Sequence, residues 1–153
     1  MNITVKKELI QFIVMILIGL TLNPMNLLAY KFDHLYLSLT LFYGALVMAS
    51  NMMWSHEIIH YLAYGHFNGY VFFTGILLAC FSFYLLRSQF HVNKEQWLKR
   101  MISHHSTALT TSEKIAKNNL DPQLNRLTTD IINQQKTEIS LMKKMLKNKT
   151  NTN

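Results

Sequence analysis

Apolar residues fall into two regimes along this chain. From Leu9 to Arg87 they run almost unbroken over three stretches, residues 9–30, 35–55 and 69–87. Short polar segments around Lys31–His34 and His56–Gly69 separate them. Each stretch has the ~20 residues that a helix needs to cross a bilayer. After Asn93 the runs give way to spacings of three and four. One series runs Trp97, Leu98, Met101, Ile102, His105, Ala108, Leu109, Ser112, Ile115, Ala116, and a second runs Leu124, Leu127, Ile131, Gln135, Glu138, Met142, Met145. That period belongs to helices with one apolar face.

Local signals mark where these helices begin. Asn93, with Gln96 three residues on, is a capping-box pattern, and Asp121-Pro122 combines an N-cap with a first-turn proline. The expected fold class is therefore all-α: three transmembrane helices followed by a C-terminal amphipathic helical hairpin. Residues 1–92 form the membrane region, 93–147 the hairpin and 148–153 a disordered tail. Pro24 ends or kinks the first span. Gly44, Ala45 and Ala49 in the second span, with Gly75 and Ala79 in the third, suit close helix approach. Two helices bury little core alone, so the hairpin is expected to self-associate, as a homodimer or higher homo-oligomer, into a four-helix bundle.

Charge sharpens this division. Before Arg87 only Lys6, Lys7, Glu8, Lys31, Asp33 and Glu57 are charged. From Ser88 on there are eleven Lys and Arg against five acids, most of the formal +7. Scattered basic residues with few aromatics exclude a nucleic-acid surface and leave membrane lipid as the expected partner. The positive-inside rule pulls both ends toward the cytoplasm and slightly favours the hairpin. A lone Cys80 excludes an intramolecular disulfide. No glycine-rich phosphate loop or nucleophile arrangement is present, so no catalytic residue is assigned.

Candidate metal chemistry lies in two places. Met101, His104 and His105 share one helix face, and a turn near Asn119 sets His104 opposite Gln135 and Met101 opposite Glu138. Met101, His104, His105, Glu138 and Met142 then converge. Imidazole with thioether favours copper, particularly Cu(I), whereas imidazole with carboxylate favours zinc or iron. The ordinary alternative makes the methionines core fillers. The second place is the stripe Met48, Met52, His56, His60, a ladder of thioethers and imidazoles that could pass Cu(I). Within it His56-Glu57-Ile-Ile-His60 has the form His-Glu-x-x-His, in which two histidines hold zinc and the glutamate acts as base. The bland reading is methionines packing a membrane core and histidines at the headgroups. His34 and His91 read as lone interfacial histidines.

Trp97-Leu-Lys-Arg-Met-Ile-Ser-His-His-Ser-Thr-Ala108, with the later Ile131-Ile132, Gln135 and Glu138-Ile-Ser-Leu-Met142, resembles the ferritin-like family called domain of unknown function 305, in a membrane-anchored form with three spans ahead. The resemblance covers about residues 94 to 147. It implies a ferritin-like half-bundle, a link to copper through Met and His residues, and a hairpin facing outward, against the charge count. Two positions depart from the family pattern: Ser103 stands where many members have proline, and Thr111 where soluble members commonly have methionine. The expectation is a multi-pass integral membrane protein that handles a metal ion without catalysis, copper ahead of zinc or iron. A non-metal oligomerisation module is the first alternative, and a small membrane metalloprotease using His56, Glu57 and His60 the second.

Overall fold

The computed structural model describes residues 3–118 and 121–150. Among these no strand occurs; the helices are α1 (Ile3–Thr21), α2 (Pro24–Leu27), α3 (Leu39–Tyr64), α4 (Gly69–Ser88), α5 (Lys94–Ile115) and α6 (Pro122–Thr150), with a 3-10 turn at Phe32–His34. The chain is all-helical, and it divides into two compact units. One comprises Met1–Leu22 and Leu39–Val92, the other Asn23–Ser38 and Asn93–Asn153. The second grouping differs from the expected division at residue 92, because the segment 23–38 packs with the hairpin.

The first unit packs α1 and α4 on α3. Small residues set the separation. A Cβ on Gly19 would meet Ala45 Cβ at 2.9 Å, and one on Gly75 would meet the Trp54 backbone N at 2.9 Å. Ala45 and Ala49 are buried, as expected, whereas Gly44 faces open space and contributes no close approach. Polar groups of α3 are satisfied within the unit: Ser50 Oγ donates to Leu46 O at 2.7 Å, and Tyr43 Oη donates to Phe90 O at 2.8 Å. Gly65, at φ +72°, follows α3 in the left-handed region that glycine tolerates. Asn68 then caps α4 by accepting from Val71 N at 3.3 Å.

Two described segments are long and apolar enough to cross a membrane, Lys6–Leu27 and Gly69–Ser88. The expected second span, 35–55, is not among them. Its helix starts at Leu39 and runs on to Tyr64, and Asn51, Ser55, His56, Glu57 and His60 within it dilute its apolar character. The expected first span, 9–30, is interrupted at Leu22-Asn23, where Asn23 caps the short α2 by accepting from Asn26 N. The third agrees closely with α4.

In the second unit both caps form as read. Asn93 Oδ1 accepts from Gln96 N at 3.0 Å, and Asp121 Oδ1 accepts from Gln123 N and Leu124 N, each at 3.0 Å. Ile102, Leu109, Ile139 and Met142 form the buried core, flanked by Tyr36, Leu98, Met101, Ile132 and Leu146. At ~25 cal/mol per Å² such apolar burial is the main force pairing the helices. α6 continues to Thr150, into the stretch expected to be disordered; residues 151–153 of that stretch and the turn residues 119–120 lie outside the described ones.

The segment 23–38 is stitched to α5 by three hydroxyls one turn apart. Ser103 Oγ donates to His34 O at 2.8 Å, Ser106 Oγ accepts from Tyr30 N at 2.7 Å, and Thr107 Oγ1 donates to Met25 O at 3.1 Å. Ser103 and Ser106 are fully buried. On the other side, Lys143 of α6 pairs with Asp33, and Tyr36 packs on the core.

Candidate functional site

The hairpin brings His105 and Glu138 together: Nδ1 of the imidazole lies 2.9 Å from Oε2. This is one helical turn away from the expected pairing of His104 with Gln135, because the core interlocks Ile102 and Leu109 of α5 with Ile139 and Met142 of α6. The contact is a close approach rather than an aligned hydrogen bond; His105 Nδ1 and Gln135 Oε1 are both buried without one. Glu138 is further held by Gln134 Nε2, which donates to Oε1 at 3.0 Å. Burial pushes the His105 pKa down, with Glu138 pulling the other way and His104 adding to the fall. The ring is therefore neutral near pH 7 and keeps one lone pair.

His104 follows the same helix but is exposed. Its ring centroid lies 5.9 Å from that of His105, edge to face. The two methionines take another course. Met142 is buried in the apolar core and Met101 packs against it, where thioethers fill irregular space. The thioethers thus serve the core, while His105 and Glu138 are in contact and the exposed His104 stands beside them.

The α3 stripe lies along the more exposed side of the helix. Met48 and Met52 are exposed at 55% and 44%, while the His56 and His60 rings stand 6.0 Å apart. His60 Nδ1 lies 3.2 Å from His66 O. Glu57 is buried, and its Oε2 accepts the Asn68 N–H at 2.9 Å. What joins His56 and Glu57 is Glu8 of α1: one donor atom from each lies within 4.8 Å of the others.

Three residues were missed in the sequence. Glu8 carries a signal, a lone acid opening an otherwise apolar helix, and was counted only as charge. Ser106 and His34 carry none, since their pairing spans 72 positions: His34 Nδ1 lies 3.0 Å from Ser106 Oγ. His34, read as a lone interfacial residue, is buried, and burial lowers its pKa. With Ser106 Oγ beside Nδ1 and Asp33 Oδ1 3.8 Å from Nε2, the network assigns the proton to Nε2.

Residues 86–150 match the profile of the family described as "Domain of unknown function (DUF305)". Over 125 residues the chain is 34% identical to "Uncharacterized protein L153" of Acanthamoeba polyphaga mimivirus, an alignment covering 82% of each protein. No solved structure matches the chain. The matched segment spans α5 and α6, with the histidine pair and Glu138, and the viral likeness extends well beyond that segment. The chain belongs to the DUF305 family, with residues 86–150 as its DUF305 domain and the mimivirus protein as a relative over most of its length.

Proposed function

We propose that this is a multi-pass membrane protein whose hairpin binds a transition metal ion, copper ahead of zinc or iron, for metal handling rather than catalysis. The observation that carries this is the half-buried His105 held against Glu138 with the exposed His104 beside it. A carboxylate against one ring nitrogen leaves the other available as a ligand, the usual arrangement behind metal-binding histidines. Glu138 then orients His105, and His104 supplies the second imidazole. With the thioethers in the core, nitrogen donors dominate, and affinity among divalent ions at such a site peaks at Cu(II). Two protein ligands on an open edge suit a metal that exchanges.

The membrane reading rests on the outward faces of α1 and α4. Leu9, Ile13, Leu17, Phe73, Leu77 and Phe81 are 47 to 71% exposed, an apolar surface that water does not tolerate and lipid does. α3 crosses with them in this reading. Its 26 residues reach about 39 Å, more than a ~30 Å hydrocarbon core, so its His56–His60 end emerges at the headgroups.

Titration of the full chain in detergent with Cu(II) against a competing chelator tests the hairpin site. His104→Ala/His105→Ala is expected to weaken binding at least ~10-fold, Glu138→Gln by ~10-fold, and Met101→Leu to leave it unchanged. Equal binding by wild type and the double histidine variant overturns the proposal. A second reading, a non-metal structural or oligomerisation module, is favoured by the exposed Leu127, Leu141 and Met145 on α6; it predicts that Leu141→Glu dissociates an oligomer while no variant alters metal content.

A further inference from the structure

We infer that the first unit holds a second metal site, for one divalent first-row cation, between Glu8 of α1 and the His56–Glu57 pair of α3. It is independent of the hairpin site. One donor atom each from Glu8, His56 and Glu57 lies within 4.8 Å of the others. Four-coordinate ions with ~2.1 Å bonds need donors roughly 3.4 Å apart, so small side-chain rotations close the gap.

Burial makes the cluster unusual. Glu57 is 5% exposed and Glu8 9%, and His56 Nδ1 is buried with no hydrogen-bond partner. Two adjacent carboxylates out of water repel each other and lose hydration, which a protein tolerates when a cation or protein donors compensate. Among the described residues, no Lys or Arg pairs with either carboxylate; the ion pairs all lie on the hairpin or the segment packed on it. Lys7 lines the adjoining cleft without forming an ion pair with either. The one fixed donor is the Asn68 N–H on Glu57 Oε2. It orients the carboxylate as outer-shell partners orient metal ligands, and Asn68 is itself fixed as the cap of α4.

The donor set identifies the ligand class. Two carboxylates and a neutral imidazole balance the charge of a divalent ion, so the loaded site is neutral, which suits a unit with apolar outer faces. These oxygen and nitrogen donors fit zinc or iron(II) rather than Cu(I). A cleft of about 380 Å³ lined by Glu8, Glu57, His60, His66 and Asn68 gives the ion a path in, with His60 and His66 along it. In this arrangement Glu57 is a ligand, and the His-Glu-x-x-His spacing is incidental.

The test uses the full chain in detergent in a His104→Ala/His105→Ala background, with zinc alone and with Co(II) as a spectroscopic probe. The expected result is one equivalent of zinc, a zinc-dependent rise in melting temperature, and visible Co(II) bands of low-coordinate geometry. Glu8→Gln and His56→Ala should each lower zinc affinity at least ~10-fold. Glu8→Gln removes a buried charge, so its metal-free form should melt no lower than the parent while losing the zinc-dependent rise; this separates ligand loss from misfolding. A parent protein with no zinc-dependent rise, or a Glu8→Gln variant that keeps all of it, overturns the inference.

Discussion

Ser106→Ala isolates the contact that ties residues 23–38 to the hairpin. Ser106 has no solvent exposure. Its Oγ accepts the Tyr30 N–H at 2.7 Å and lies 3.0 Å from His34 Nδ1. Alanine fits the space but leaves both partners unmatched. A buried polar group stranded in this way costs about 1–3 kcal/mol. His34 is buried and Tyr30 lies at an edge, so the combined loss should be about 2–4 kcal/mol. For a unit of this size each kcal/mol moves the melting point by roughly 4–8 °C, and a fall of about 10 °C or more is expected. Hydrogen exchange supplies the local readout: the Tyr30 amide should lose its protection while amides in the middle of α6 change only as global stability does. Ser103→Ala, which removes one donor to His34 O, should cost less, about 0.5–1.5 kcal/mol. If Ser106→Ala melts with the parent and the Tyr30 amide exchanges as slowly as before, segment 23–38 is not held by α5.

Acid should loosen the same unit. Burial holds His34 and His105 below the ordinary imidazole pKa, so the folded form binds protons less readily than the unfolded chain. Their stabilisation is complete above the unfolded value of about 6.5 and drains away as pH falls from there through the lower folded values; a melting temperature that stays level or rises between pH 7 and pH 5 contradicts this. Ile102→Ala, at a position with no exposure, should cost about 2–5 kcal/mol in denaturant unfolding. Gly75→Ala would set a Cβ 2.9 Å from the Trp54 backbone and should cost about 1–3 kcal/mol, whereas Gly44→Ala meets open space and should be neutral or slightly stabilising; equal melting of the two variants would place the α3–α4 contact elsewhere.

What could be read in advance was what short-range chemistry determines. Asn93 and Asp121 cap their helices because the interaction reaches only two or three residues along the chain. α4 was legible because a long apolar run bounded by Asn68 and Arg87 has one good solution. The hairpin register differs from the expected one by a turn, since it depends on which large side chains interlock; Met101 and Met142 went to the core, and the histidine that reached Glu138 was His105. The three-hydroxyl seam on α5 was invisible for a different reason. Serine and threonine at 103, 106 and 107 look like ordinary helix-surface residues until an extended segment some seventy residues earlier supplies their partners. Glu8 meets His56 and Glu57 only once α1 packs on α3.

That seam changes what the hairpin needs. Two amphipathic helices alone leave too much apolar surface open, and self-association was the expected remedy. The chain covers part of that surface itself. Tyr36 packs on the core, backbone groups of Met25, Tyr30 and His34 occupy the α5 hydroxyls, and Lys143 anchors Asp33 from the α6 side. Serine at position 103 follows from this: its hydroxyl donates to His34 O, which proline cannot do, and its small side chain lets the segment lie against the helix. The histidine pair sits on the same helix as the seam, within one turn of both serines. If the metal site proposed for the hairpin needs this seam, Ser106→Ala should weaken Cu(II) binding in proportion to the fraction of molecules in which the segment has come away; unchanged binding would separate the two.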